Sequence, residues 1–158
     1  MDPTDSGALN MPEPDLTSLP QWDAGTVATL STIGDGPHAI PVSTGVRATD
    51  SHLLIALATR RGSLANLKAD PRVAVTFLAA GDLAVTVHGK AEVVAEPMEC
   101  SDRVCAVLIT AERIRDHGQP RFEIEAGVAW RWTEDEAEQR DHEVRAELSR
   151  IAANIAAG

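Results

Sequence analysis

The residues best suited to chemistry lie in one run, Thr59-Arg60-Arg61-Gly62-Ser63-Leu64-Ala65-Asn66-Leu67-Lys68-Ala69-Asp70-Pro71-Arg72. Four of the chain's fourteen basic side chains fall within it. They surround the point where a strand-like apolar stretch ends and a short helical pattern begins. A helix start presents unpaired backbone N–H groups and the positive end of the helix dipole. Arginine forks and a serine hydroxyl placed there make a seat for an anionic group such as a phosphate. The competing reading is a solvated loop that holds nothing, and on sequence alone the two stand level.

The other reactive side chains are dispersed. His38, His52, His88, His117 and His142 show no metal-ligand spacing, and a surface or hydrogen-bonded structural role is the simpler reading for each. Should one serve as a proton donor, His38 and His88 are the better placed. Cys100 and Cys105 are too few and wrongly spaced for a zinc site and read as two reduced thiols. There is no Gly-x-Ser-x-Gly elbow and no P-loop. The chain contains no tyrosine, which excludes a phenolic acid. Trp130 and Trp132 are two apart and would point the same way in a strand. Core or interface packing is the plainer reading for them; the wall of a ring pocket is the other.

Charge narrows the classes further. The net charge is −10, unevenly spread. Residues 1–24 carry five acids and no base, 25–95 five acids and six bases, and 96–158 fourteen acids and eight bases. No broad basic face exists, so nucleic-acid binding is not expected. Nothing resembles a signal peptide or a membrane span, so the default expectation is a cytoplasmic protein with no membrane partner.

The elements that must position the basic run follow from periodicity. Residues 1–19, rich in Pro, Asp, Ser and Thr, read as a disordered tail. Gly25–Ile33, His38–Val46, His52–Ala58, Val73–Ala79 and Leu83–Ala95 read as strands, with turn signals at Gly34-Asp35-Gly36 and Ala80-Gly81-Asp82. Ser63–Ala69 reads as a short helix stopped by Pro71. Glu96–Arg103 suggests another, opened by Pro97. Val104–Arg115 either continues it or forms a strand. Phe122–Trp132 alternates as a strand. Thr133 and Glu136 make a capping box before a C-terminal helix with Val144, Leu148, Ile151 and Ile155 on one face. Hairpin-linked strands point to an antiparallel barrel. The expected organisation is a tail at 1–19, a barrel domain at 20–132 and a helix at 133–158 on the barrel or a partner.

Taken in order, several motifs resemble a known family. They are a Gly-Asp-Gly-Pro turn, a strand with Ala39-Ile40-Pro41-Val42, the basic loop followed by Asn66-Leu67-Lys68-Ala69-Asp70-Pro71-Arg72-Val73, and later Gly89-Lys90-Ala91-Glu92-Val93-Val94. Together they look like the pyridoxamine 5′-phosphate oxidase-related family, the FMN-binding split barrels, from Thr26 to Ala95 and more weakly to Trp132. The Asn-Leu-x-x-Asp-Pro-Arg-Val run is the most specific of them.

The resemblance implies a mainly β fold, a six-stranded antiparallel Greek-key split barrel, that forms a homodimer. It implies FMN, or alternatively the deazaflavin coenzyme F-420, at the subunit interface. Carried onto this chain, the phosphate would meet Thr59, Arg60, Arg61, Ser63 and Asn66, with Lys68 a further candidate. Pro41, Val42 and Ser43 would lie along the ring mostly through backbone, and Lys90 would flank the cofactor. The chain departs from the pattern where members often carry an Arg-Lys pair, since it has Gly62-Ser63. The activity implied is flavin-dependent hydride transfer to or from a small organic molecule. The alternatives are a deazaflavin-dependent reductase and a non-catalytic flavin-binding or sensor protein. No second phosphate site is evident, which argues against pyridoxamine-phosphate oxidation itself.

Overall fold

The computed structural model describes residues 15–158. The β-branched and apolar stretches form β1 (Asp15–Leu16), β2 (Ala28–Ile33), β3 (Pro37–Val42), β4 (Val46–Arg47), β5 (His52–Ala58), β6 (Arg72–Ala79), β7 (Leu83–Ala95) and β8 (Val104–Asp116). A short helix, α1 (Gly62–Ala69), separates β5 from β6, and α2 (Asp135–Ala157) ends the chain. The antiparallel sheet runs β3-β2-β6-β7-β8-β5-β4, with β1 beside β8. Two strands are only two residues long, so six carry the fold. The path ends at β3 and β4 without joining them, which is a split barrel rather than a closed one.

Period-two alternation decides the faces. The register aligns Ile40, Leu30, Val75, Val87 and Ile114 across five strands. Of these, Leu30, Val75 and Val87 are fully buried. The next row, Ala39, Ser31, Ala74, His88 and Arg113, faces outward. Phe77 joins the core from β6, and Leu64 and Leu67 from α1. Each such side chain contributes roughly 1.5–3 kcal/mol on burial. Strand β7, as long as β8, carries an irregularity where its pairing with β8 slips between His88 and Gly89. A Cβ on Gly89 would lie 2.2 Å from the Thr110 carbonyl oxygen, so only glycine fits there.

The stripe on α2 packs as expected. Val144, Leu148 and Ala152 close a second cluster against Leu54, Ala106 and Met98. Four expectations change. Glu96–Arg103 is a tight turn with a Met98–Ser101 bridge, not a helix. Met98 is drawn into the second cluster, and buried Glu147 of α2 takes the Glu99 and Cys100 backbone N–H groups at 3.0 and 2.7 Å. Those bonds satisfy the turn that a helix would otherwise have satisfied. Phe122–Trp132 forms no strand; it runs as an exposed arm held by isolated hydrogen bonds.

Helix α2 begins at Asp135, capped by Glu134 without a side-chain bond, so the Thr133 box does not form. Asp135, Glu136 and Glu138 in its first turn already complement the dipole. Of the expected tail, residues 1–14 lie outside the described residues. From Asp15 the chain is ordered: β1 pairs with β8, and Leu19 is buried. Among the described residues no helix is long and apolar enough to cross a membrane.

Candidate functional site

The basic run sits where β5 hands over to α1. The Thr59 N–H donates to the Arg103 carbonyl and the Arg61 N–H to the Ala58 carbonyl, and together they shape the turn. Leu64 and Leu67 then anchor the helix in the core. Arg61 is the N-cap in an extended conformation and makes no side-chain capping bond. The first turn carries no acid, in contrast to the three at the start of α2. Ser63 is fully buried, and its Oγ has no hydrogen-bond partner. Leaving such a hydroxyl unsatisfied costs about 1–3 kcal/mol. Arg60 and Arg61 are exposed. Among the described residues neither forms an ion pair.

The other two cations of the run are already committed. Lys68 Nζ pairs with Glu96 just past the end of β7. Arg72 grips Asp70 through two bonds, at 3.0 and 2.6 Å. The Arg72 hydrogen bond holds the Asp70 carboxyl down at about 2. Free positive charge therefore concentrates at Arg60 and Arg61, at the start of α1.

Asn66 is engaged too. Its Nδ2 donates to Thr32 Oγ1 at 3.1 Å. A Cβ on Gly34 would come within 2.7 Å of its Oδ1. Asn66 thus ties α1 to the β2–β3 hairpin and fixes how the basic turn faces β3. On that edge strand Pro41 is exposed, Val42 is in the core, and Ser43 follows the strand end half-buried. Only backbone at Val42 is available to a ligand outside. Lys90 is exposed on β7, level with Arg72 and 3.9 Å from Glu112 Oε1. Arg60, Arg61, Ser63 and Asn66 come together on one segment. Pro41–Ser43 lies at the far end of β3 from the Thr32–His38 pair, about 10 Å on at strand spacing.

The hairpin borders a cavity of about 640 Å³, lined among others by Thr32, Ile33, His38, Arg72, Ala74 and His88. His88 lies in the outward row, and His38 stands opposite buried Thr32. Among the described residues neither imidazole has a hydrogen-bond partner. His52 and His117, by contrast, bond to hydroxyls. Trp130 and Trp132 meet edge to face at 5.6 Å, on the arm and partly exposed. Burial, and then the Glu147 carboxylate, pushes the Cys100 thiol up; burial does the same for Cys105. Both cysteines are free. No group of three His, Cys, Asp or Glu side chains among the described residues could hold a metal.

Sequence reasoning missed two features. Trp22 stacks on Phe77 at 4.4 Å and donates its indole N–H to the Gly45 carbonyl. Glu147 is an acid lying three residues after Val144 and one before Leu148 on the apolar stripe, and that misplacement was its signal.

An open antiparallel barrel with an arginine-flanked helix start after its third long strand defines the class, a split barrel. The comparisons make it specific. The family model described as pyridoxamine 5′-phosphate oxidase matches residues 16–131, and the chain belongs to that family. Solved structures share the fold. A Lactobacillus delbrueckii protein named for pyridoxamine 5′-phosphate oxidase aligns at 20% identity over 66% of this chain and 98% of its own, with a TM-score of 0.54. A Listeria innocua protein named in the same way has 18% identity, 60% and 90% coverage and a TM-score of 0.50. An F420 reductase has 15% identity, 59% and 91% coverage and a TM-score of 0.52. No curated protein matches the chain.

Proposed function

We propose that this chain is an FMN-binding oxidoreductase that works as a cytoplasmic homodimer on a small organic molecule. One observation carries the reading. Among the described residues, the start of α1 has no side-chain cap, no acid in its first turn, two unpaired arginines and a buried hydroxyl without a partner. An anionic cofactor tail supplies what each of these lacks. The residues fit the group even though Gly62-Ser63 replaces the more usual Arg-Lys pair, because Arg60 and Arg61 lie immediately upstream.

Bound flavin would supply a ring able to take or give a hydride. The chain's part is to hold and orient it. Arg60 and Arg61 would hold the phosphate, with the Ser63 hydroxyl a further donor to it. Thr59 shapes the turn, and Asn66 keeps the turn against the hairpin. The backbone of Pro41, Val42 and Ser43 would flank the ring, and Lys90 would offer a further positive charge from β7. His88, with no partner of its own, can hold a proton at its imidazole nitrogen.

The departure at Gly62-Ser63 supports one second reading. A phosphate grip reduced to two arginines also suits the longer acidic tail of the deazaflavin coenzyme F-420, and the F420 reductase fold neighbour accords with this. An absorbance and fluorescence titration of the purified protein tests both. Saturable quenching of FMN emission supports the first. Retention of F-420 without FMN supports the second. Retention of neither rejects the oxidoreductase reading, and bound flavin that no reductant turns over leaves a sensor.

A further inference from the structure

The geometry points to a second ligand site at the other end of β7, a cleft that takes an organic cation, an amine or quaternary ammonium on an apolar body. The α1 end lies beside Glu96, past the last residue of β7. The cleft, of about 810 Å³, is lined by Leu83 and Val85 at the strand's beginning. Its walls are the 20–27 segment, the β6–β7 turn and the 125–130 stretch of the arm.

Those walls are fastened. The Ile124 N–H donates to Asp82 Oδ1 at 2.7 Å, and the Trp130 indole N–H to the Gly25 carbonyl at 2.8 Å. A Cβ at Gly127 would lie 3.1 Å from the Leu78 carbonyl oxygen, so the arm lies close over β6.

The lining has an unusual charge balance. It includes Asp23, Asp82, Asp116 and Glu125 and, among the described residues, no Lys, Arg or His. Asp82 and Asp116 each spend one oxygen on a backbone N–H. The Asp23 and Glu125 carboxylates have no partner among the described residues. Low-dielectric walls around charges of one sign focus the field into the cleft. The apolar part of the wall combines aliphatic side chains such as Leu78 and Leu83 with two indoles. Trp22 and Trp130 both line it, and both indole N–H groups are spent on carbonyls. Trp22 stacks on Phe77 and Trp130 meets Trp132 edge to face, so what each indole has left to offer is the rest of its π-surface, which attracts cations and buries hydrocarbon. Carboxylates with indole surface and no competing cation fit an ammonium group on an aromatic or aliphatic body. An anion has no donor side chain there to receive it beyond Gln21 and Thr26.

The test uses the full chain and three probes of similar size: benzyltrimethylammonium, benzyl alcohol and benzoate. The chain has three tryptophans and no tyrosine, so its emission reports on this end. Benzyltrimethylammonium is expected to change tryptophan emission saturably and to bind at least about tenfold tighter than benzoate. The double variant Asp23→Asn/Glu125→Gln, whose sites are exposed, should keep its thermal midpoint and bind the cation about three- to tenfold more weakly. Arg60→Ala/Arg61→Ala should leave this binding unchanged. Equal response to all three probes, a response without saturation, or undiminished binding by the Asp23→Asn/Glu125→Gln variant overturns the proposal.

Discussion

The two ends of β7 solve opposite electrostatic problems on one scaffold. At the Ala95 end a helix start is left without a side-chain cap or acid, and among the described residues two arginines stay unpaired while their neighbours Lys68 and Arg72 are neutralised. At the Leu83 end four carboxylates gather around indole rings with, among the described residues, no cation in the lining. Net charge hides this. A chain of −10 carries a small patch of positive charge because local pairing, not the sum, decides what is exposed. A basic residue in the sequence is a cation for a ligand only if the fold has not already given it a carboxylate.

Several changes break or sharpen that contrast. The largest effect is expected from Phe77→Ala. It removes a fully buried ring and the surface on which Trp22 stacks. Stability should fall by about 3–5 kcal/mol in chemical denaturation. Tryptophan emission should shift to the red before global unfolding, while the arginine end keeps its ligand. Next comes Arg60→Ala/Arg61→Ala. FMN affinity, read by flavin fluorescence, should weaken by about 1.5–3 kcal/mol for each charge-assisted hydrogen bond removed.

Ser63→Ala gives a smaller effect with two signs. Deleting an unsatisfied buried hydroxyl should leave the flavin-free protein as stable as before or up to about 1 kcal/mol more stable, yet weaken FMN binding. A loss of stability without flavin would show that the hydroxyl is already satisfied.

The smallest effect concerns pH. The folded Asp70 carboxyl is depressed from 3.8 to about 2 by Arg72. A depressed acid contributes stability that is present above its unfolded pKa and is lost as pH falls through the folded one. The Asp70–Arg72 pair should therefore persist at pH 4 and be only half released near pH 2, seen as a carboxyl shift with its midpoint at about 2 in an NMR titration. Because the pair sits at the surface, the thermal midpoint should barely move across that window.

The strands and the basic turn were legible for physical reasons. His52–Ala58 and Leu83–Ala95 match their expected bounds because long apolar or alternating runs between turn residues leave one solution. The basic turn before a helix was legible because Pro71 and the Leu64–Leu67 spacing bound it. The arm was not. Phe122–Trp132 has strand alternation, but pairing needs a free edge beside it, and local sequence does not encode edges. Glu96–Arg103 misled because Pro97 suits a helix start, while the demand that fixed the turn came from Glu147, far along the chain on α2. Nor could the sequence show that Lys68 belongs to Glu96, a partner twenty-eight residues on.

The irregularity at Gly89 has a consequence for how such a molecule can vary. Loops at either extremity can exchange residues without consulting one another, since each is pinned by its own local bonds. Residue 89 has no such liberty, because any side chain there would strike Thr110 and shift the one strand that both extremities share. Diversification in ligand preference is thus free at the tips and frozen at the spine.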